Sequence, residues 1–525
     1  MMFSRSGFAK IVFALVVGLP GLFLGSSSEA QENLYEDTYG LTVDQVPPTP
    51  ANVGINPNGV GQVLFGAYYD VRAFGGDAQH VNIQIQNNNT NVSDKRPCTE
   101  LDFQQGNDGS TCYNPNGGIL AKVRFRDFRK SKELLDFNIA LSCGEIWAGR
   151  VSLKGDRPAI YSVFPVVTLV QPREIETDDI IGDGQVFSLL NAPLEDTTHG
   201  YFEVIGMERL PCEPVEGQLF LTGNTWERLD CDARSVDCTP TNALAAAVVL
   251  VRPAAGVAHE YNATALSRFV VGPAVGGPGG GPITPINPTG ADDPDVADCI
   301  NIGTSTGTPL TSAQCLAQVN LALAKSRIIA QYDIEAVTAG TTDLIVTLPT
   351  KGLVCGNDFE GPPQAPFQCQ TTTGLDMVGE EVGCRVWDRL EHYVLQDEPI
   401  FSPSADPKIC VLPYESTIIG VARTAETATE RADVVLLSGS LPSPESGWVE
   451  LDLANDNAGL LLHGEVVSDG QGGPELNVQG IGVFGYEGLP ALALVLQEFQ
   501  NGNVGGSYGN TVAVTAESRT LLELP

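Results

Sequence analysis

Apolar and polar positions alternate most regularly between Gly117 and Leu153. In the first run, the apolar residues Ala121, Val123 and Phe125 alternate with basic residues. In the second run, mostly polar residues separate the apolar residues Leu135, Phe137, Ile139 and Leu141. Successive side chains of a strand point to opposite faces, so the pattern predicts an antiparallel β-hairpin. One face of the hairpin is expected to be buried and the other to lie in water.

Shorter runs of the same kind, separated by Gly, Pro and Asn, continue along the chain. They predict strands at residues 62–74, 80–86, 146–153, 159–170, 203–206, 218–222, 243–251, 343–348, 384–387, 434–438, 448–453, 459–467, 478–486 and 491–500. One stretch, Thr311–Gln331, is rich in Ala and Leu behind the capping residues Thr311 and Ser312, and it predicts a helix. The expected fold is all-β: two disulfide-stapled β-sandwich domains, Ig-like or jelly-roll-like, with one short helix in the second.

Composition divides the 525 residues into five segments. Residues 1–30 read as a signal peptide, 31–60 as an extended N-terminal arm, and 61–271 as the first sandwich domain. Residues 272–298, dense in Gly, Pro and Asp, are predicted to be a linker, because such a stretch cannot build a core. Residues 299–525 are the second predicted sandwich domain.

The first thirty residues predict export. Arg5 and Lys10 precede an apolar run at residues 11–24, and Ser28 and Ala30 supply small residues for cleavage. That run is short and broken by Pro20, and no later segment resembles a membrane span. We therefore expect a secreted protein, extracellular or at the cell surface, with the periplasm as the alternative.

Acidity limits the partners. The formal net charge is −35, from 64 acidic and 29 basic residues. Such a charge repels nucleic acid and keeps a protein dispersed in solution. A solvated acidic surface explains this net charge. The more specific alternatives are divalent-cation binding and a saline habitat.

The twelve cysteines of an exported chain predict disulfides. Short separations favour Cys98–Cys112, Cys231–Cys238, Cys299–Cys315, Cys355–Cys369 and Cys384–Cys410, leaving Cys143 and Cys212. No C-x-x-C pair or nearby histidine supports zinc instead.

No cofactor is predicted, with calcium as a possible exception. Asp108 in Asn107-Asp108-Gly109 and Asp456 in Asn455-Asp456-Asn457 lie in oxygen-rich turns that could ligate it. Neither turn has a complete calcium-binding pattern, and ordinary turn chemistry explains both.

No catalytic signature stands out, so a non-enzymatic protein is predicted. Gly505–Gly509 matches G-x-S-x-G, but no histidine follows it, and a glycine-rich loop is the simpler interpretation. Carboxylate pairs for glycoside hydrolysis stay open in so acidic a chain. Carbohydrate sites favour exposed aromatic residues; Trp226 and Trp387 are expected to face solvent, and Trp147 and Trp448 to lie in the core.

A basic cluster interrupts this acidic chain within eleven positions of the hairpin. It consists of Lys122, Arg124, Arg126, Arg129, Lys130 and Lys132. Two interpretations explain this cluster equally well. It is a solvated strand face and turn, or it is a docking surface for another copy of the chain or for an anionic surface polymer.

The segments from Val123 to Leu153, Gly200–Leu210, Thr342–Gly352 and residues 447–453 (GWVELDL) resemble a poorly characterised family of exported, β-rich bacterial surface proteins. The resemblance implies export and a β-rich body and transfers no catalytic residue. The predicted function is structural or adhesive: a component of a surface layer, sheath, filament or matrix that assembles by protein contacts. The alternative is a calcium-assisted or carbohydrate-binding module, and a secreted hydrolase comes third.

Overall fold

The computed structural model describes the chain in segments. They are residues 54–74, 77–89, 96–97, 112–113, 117–170, 173–187, 194–217, 223–229, 242–267, 319–320, 322–334, 340–351, 379–395, 410–454, 464–465, 467–468, 474–475, 483–501, 506–512, 514–517 and 519–524. The chain divides into two units, Met1–Pro47 and Pro48–Pro525, and every described residue belongs to the second.

Nearly all regular structure in these segments is β. The strands before residue 300 are β1 Gly54–Ile55, β2 Val63–Asp70, β3 Ala73–Phe74, β4 Asp77–Ala78, β5 His80–Asn87, β6 Arg96–Pro97, β7 Cys112–Tyr113, β8 Gly118–Asp127, β9 Glu133–Leu141, β10 Ile146–Lys154, β11 Arg157–Tyr161, β12 Pro165–Val170, β13 Glu174–Ile180, β14 Gln185–Val186, β15 His199–Leu210, β16 Glu216–Gly217, β17 Asn224–Glu227, β18 Leu244–Arg252, β19 Val257–Asn262 and β20 Thr264–Ser267.

The strands after residue 300 are β21 Ala324–Lys325, β22 Arg327–Asp333, β23 Thr341–Thr347, β24 Glu380–Asp388, β25 Tyr393–Leu395, β26 Cys410–Leu412, β27 Ser416–Ala422, β28 Val434–Leu437, β29 Ser446–Asp452, β30 Gly464–Glu465, β31 Val467–Ser468, β32 Pro474–Glu475, β33 Val483–Glu487, β34 Leu489–Pro490, β35 Leu492–Asn501, β36 Gly506–Val512, β37 Thr515–Glu517 and β38 Arg519–Leu524. Short 3-10 turns occur at Ile181–Asp183, Leu194–Thr197 and Ala425–Thr427.

The predicted helix over Thr311–Gln331 is wrong in its described C-terminal part. Residues 319–320 and 322–323 are helical, but β21 and β22 follow at once. Strand β22 lies between β29 and β37, and its residues Ile328, Ala330 and Tyr332 point inward. Pairing on both edges outweighs the helix propensity of alanine and leucine, which is worth only tenths of a kcal/mol per residue. Residues 311–318 lie outside the described segments.

Two six-stranded sheets share the largest core. Sheet I has the order β1-β20-β2-β15-β8-β9 and sheet II the order β14-β11-β10-β5-β18-β19. The predicted hairpin is confirmed, since β8 and β9 pair antiparallel with Val123 opposite Phe137. Residues such as Val123, Phe125 and Ile83 meet between the two sheets without exposure to solvent.

Two further sheets share a second core. Sheet III has the order β28-β27-β23-β35-β36, and sheet IV has the order β25-β24-β29-β22-β37. Leu344 and Val346 of β23 point into this second core, whereas Ile345 between them belongs to the first. Sheet III is therefore buried on both faces.

A four-stranded sheet V, with the order β12-β13-β17-β16, lies against the outer face of sheet I. Its residues Val167, Ile175 and Trp226 pack on Leu120 and Met207 of sheet I in a third apolar cluster. Sheet I thus has one face on the main core and part of the other face under sheet V.

The all-β class is confirmed, and the described residues contain one fully located disulfide, Cys143–Cys212. Cys384 is also disulfide-bonded, and its strand β24 pairs with β26, which carries Cys410. Cys98, Cys231, Cys238, Cys299, Cys315, Cys355 and Cys369 lie outside the described segments, so the other predicted pairings stay predictions.

Contacts join the parts of the chain on either side of the predicted linker. The Thr347 hydroxyl donates to the Ala67 carbonyl at 2.7 Å, and the Ser416 N–H donates to the Phe128 carbonyl at 2.9 Å. The division into two sandwich domains, and their Ig-like or jelly-roll-like type, stay predictions. Residues 1–53, which include the predicted signal peptide and most of the predicted arm, and residues 272–298 lie outside the described segments.

Candidate functional site

Half of the basic cluster is buried. Lys122, Arg124 and Arg126 on β8 are only 0, 4 and 5% exposed, so the expectation that this hairpin face lies in water is wrong. The reason is a second layer of protein. Tyr201, opposite Arg126 on β15, donates a hydrogen bond to the Pro349 carbonyl at 2.9 Å, so chain beyond β23 closes this face.

Acidic side chains on the neighbouring strands neutralise these three buried cations. Lys122 Nζ lies 2.5 Å from Asp136 Oδ2, and Arg124 Nε lies 2.8 Å from Glu133 Oε2. Arg126 Nε donates to the fully buried Glu203 at 2.9 Å. Buried charges persist only when they are paired in this way, so these residues join neighbouring strands of sheet I and present no surface to a partner.

The other three basic residues belong to the turn between β8 and β9. Arg129, Lys130 and Lys132 are half-buried, and their backbone N–H groups all donate to the carboxylate of Asp127. Arg129 also reaches Asp196 at 3.2 Å and lies over the ring of Tyr414. The six predicted residues therefore do not form one exposed surface.

The predicted calcium ligands Asp108 and Asp456 lie outside the described segments. Within the described part of the chain, no group of three or more His, Cys, Asp or Glu side chains is arranged to hold a metal ion.

The G-x-S-x-G match does not form a nucleophile elbow. Ser507 lies in β36, which pairs with β35 in sheet III, where a strand-to-helix turn would be required. This also corrects the expected glycine-rich loop for the described residues of the motif, because Gly506–Val512 is a strand.

Buried ionisable groups concentrate where the two parts of the chain meet. Glu498 accepts from Arg252 at 2.6 Å and lies 2.8 Å from Arg431, with His259 at 3.4 Å. Burial raises the pKa of Glu498, but the His259 hydrogen bond and the Arg431 and Arg252 charges outweigh it and lower the pKa to about 2. Glu498 is thus an ionised hub that fastens sheets II and III together.

His199 and His259 are the two buried histidines of the described segments. His199 is 3% exposed and stacks on Phe128 with ring centroids 3.8 Å apart. Burial, with the nearby Arg72 charge, holds the pKa of this imidazole well below its usual range. The His199 ring therefore lies in the packed interior of the protein.

The outer face of sheet IV has a different character, because it carries a row of aromatic side chains. Tyr393, Trp387 and Trp448 are direct cross-strand neighbours on β25, β24 and β29. The Trp387 ring lies 4.6 Å from that of Tyr393 and 5.6 Å from that of Trp448, centroid to centroid. Tyr393 is 52% exposed, and both tryptophans are partly exposed. We call these three residues the aromatic row.

A polar cavity adjoins the aromatic row on the same face. Its volume is about 190 Å³, and it is lined by Ser326, Arg327, Arg385, Glu450, Asp452, Ala454 and Glu517. Glu450 joins the two features, since it accepts the Trp387 indole N–H at 3.0 Å and the Arg385 guanidinium at 3.0 Å. Arg327 reaches both Glu450 and Glu517.

The tryptophan expectations are half right. Trp147 is buried and Trp387 is partly open, as expected, but Trp226 of sheet V is buried against sheet I, and Trp448 is on the outer face of sheet IV. The sequence signal for the aromatic row was the alternation of Arg385, Trp387 and Arg389 with Cys384, Val386 and Asp388. Which tryptophan pairs with which depended on register, which the sequence did not supply.

No helix in the described part of the chain is long and apolar enough to cross a membrane. Comparisons with protein-family models, curated proteins and solved structures found no match to this chain.

Proposed function

We propose that this chain is a secreted, non-enzymatic bacterial surface protein with an adhesive function, and that it binds carbohydrate on the outer face of sheet IV. The observation that carries the proposal is the aromatic row beside the polar cavity. The faces of sugar rings bear C–H groups that pack on the electron-rich faces of aromatic rings, while sugar hydroxyls need donors and acceptors close by.

The residues of the cavity supply both kinds of hydrogen-bonding group. Arg327 and Arg385 are 37 and 38% exposed and donate, while Asp452 and Glu517 accept. The hydrogen bond from Trp387 to Glu450 fixes the indole before any ligand arrives, which lowers the ordering cost of binding.

The expected ligand is a neutral polysaccharide. A net charge of −35 repels polyanions at long range, and the cavity itself holds three carboxylates and two guanidinium groups. The basic cluster, which motivated an anionic polymer or a second copy as the partner, is half buried and gives no support to either.

The test is binding of the mature protein to insoluble cellulose and chitin and to soluble xylan, with alginate as the anionic comparison. We expect binding to at least one neutral polymer, quenching of tryptophan fluorescence, and weaker binding to alginate. Trp448→Ala and Tyr393→Ala should each weaken binding about tenfold or more, because truncating a central aromatic contact commonly costs more than ~1.4 kcal/mol.

The matched control is Tyr161→Ala, which removes a partly exposed aromatic residue of sheet II that contacts Arg150. This variant should bind as the wild type does. Equal losses in all three variants, or no binding of wild type to any neutral polymer, would overturn the proposal. Ordered assemblies of the non-binding protein in electron micrographs would move the function to self-assembly.

A further inference from the structure

A lysine and an asparagine face each other in the covered part of the hairpin. Lys122 on β8 is the direct cross-strand partner of Asn138 on β9, and both are 0% exposed. Partners in an antiparallel pair project from the same face of the sheet, with Cβ atoms roughly 4.5–5.5 Å apart. The amine and the carboxamide are therefore held side by side in the interior.

The carboxamide of Asn138 is buried without a hydrogen bond in the described part of the chain. Neither its Oδ1 nor its Nδ2 has a hydrogen-bond partner among the described residues. A buried amide left in that state costs about 1–3 kcal/mol, and the great majority of buried polar side-chain atoms are hydrogen-bonded. Such a residue calls for another explanation.

A carboxylate completes the group. Asp136 lies two residues before Asn138 on the same strand, so it projects from the same face, and its Oδ2 lies 2.5 Å from Lys122 Nζ. Its side chain is 19% exposed, which leaves a route for a small product to escape.

Apolar residues flank the group on the next pair of the ladder. Leu120 and Ala140, which pair with each other, belong to the third apolar cluster beneath sheet V. Water is therefore excluded from one side of the lysine and asparagine, which disfavours hydrolysis of any reactive intermediate.

We propose that Lys122 and Asn138 join in an intramolecular isopeptide bond. Asp136 takes a proton from the Lys122 ammonium, and the freed amine attacks Cγ of Asn138. The Nζ–Cγ bond forms and the Cγ–Nδ2 bond breaks. Two protons of Nζ pass by way of Asp136 to Nδ2, which leaves as ammonium, so that charge and atoms balance without an oxidant or co-reactant.

The fold supplies the driving arrangement for this step. Holding the nucleophile, the carbonyl carbon and the proton carrier on one face of two paired strands replaces a bimolecular encounter by an intramolecular one. The product also removes the buried ammonium and the unpartnered amide together, and it ties β8 to β9 covalently at the centre of sheet I's covered edge.

The test is mass spectrometry of the folded, purified protein after reduction and denaturation. We expect the peptide that contains Lys122 to be linked to the one that contains Asn138, with a combined mass lower by one ammonia molecule, and no tryptic cleavage after Lys122. Asn138→Ala should abolish the link, and Asn138→Asp should form it with loss of water in place of ammonia. Asp136→Asn should leave both peptides linear in a protein that still folds.

The matched control is Asn224→Ala. Asn224 is also buried, with both carboxamide atoms unpartnered among the described residues, but its cross-strand partner on β13 is Thr177, which offers no amine. This variant should keep the Lys122–Asn138 link. Linear peptides of full mass in the wild-type protein would overturn the proposal, whatever the variants do.

Discussion

The outer faces of sheets I and IV carry similar side chains but differ in their exposure to solvent. On β8, Lys122, Arg124 and Arg126 alternate with core residues, and on β24 Arg385 and Trp387 do the same. The three basic residues of β8 are at most 5% exposed, whereas Arg385 is 38% exposed. Alternation marks which residues share a face, but only a further layer of protein decides whether that face meets water.

The two faces also use charge differently. Beneath its cover, sheet I pairs each basic residue of β8 with a carboxylate on the neighbouring strand β9 or β15. On sheet IV, the ion pairs of Arg385 and Arg327 converge on Glu450 beside open aromatic rings. Breaking a buried pair is far more destabilising than breaking an exposed one, so substitutions can separate the two roles.

The largest change in the free energy of unfolding, a decrease, is expected from Glu203→Gln. This substitution leaves the buried guanidinium of Arg126 without its carboxylate at 2.9 Å, and breaking a buried pair costs about 3–5 kcal/mol. Urea unfolding followed by tryptophan fluorescence measures the loss. Glu445→Gln is the control, because its pair with Arg423 is 37 and 41% exposed and should contribute less than ~1 kcal/mol. Equal losses in the two variants would contradict the distinction between covered and open faces.

Asp433→Asn is expected to raise the free energy of unfolding, by less than Glu203→Gln lowers it. Burial raises the pKa of Asp433 to about 6, although the Ile418 N–H and the Arg72 charge lower it in part. Because this folded-state pKa lies above the unfolded value of about 4, stability is lost as the pH rises from about 4 through about 6.

The asparagine removes that loss and keeps an oxygen to accept the Ile418 N–H. We expect the variant to be more stable than wild type by about 3 kcal/mol near neutral pH and about equally stable near pH 4. Thermal unfolding at the two pH values measures this, with the exposed Asp183→Asn as control. A variant that is destabilised near neutral pH would show that the Asp433 charge is needed where it lies.

The smallest effect on stability is expected from Arg385→Ala. Glu450 keeps Arg327 and the Trp387 indole as partners, so the free energy of unfolding should fall by less than ~1 kcal/mol. Binding to a neutral polysaccharide should weaken by a larger factor, since Arg385 lines the cavity. A loss of stability above 2 kcal/mol with unchanged binding would assign this face a structural role.

Much of the fold could be predicted because most strands have a local sequence pattern that is typical of β-structure. The hairpin, the strand His80–Asn87 and the strand Leu244–Arg252 follow directly from alternating or β-branched runs. The strand Arg327–Asp333 was missed because alanine and leucine precede it, and its β form depends on partners more than a hundred residues away. The aromatic row was missed for the same reason, since it needs three strands in register.

By itself, the sequence determined that the described chain is β-rich, which residues share a strand face, and that the protein is strongly acidic. These properties depend on the period of the backbone and on composition, which act over a few residues at a time. Only the tertiary structure decided which faces are covered. It buried Lys122, Arg124 and Arg126, brought Asn138 beside an amine in the interior, and left Trp387 and Trp448 at the surface. The physical reason is that burial depends on which sheets stack on one another, and stacking is a property of the whole chain's packing.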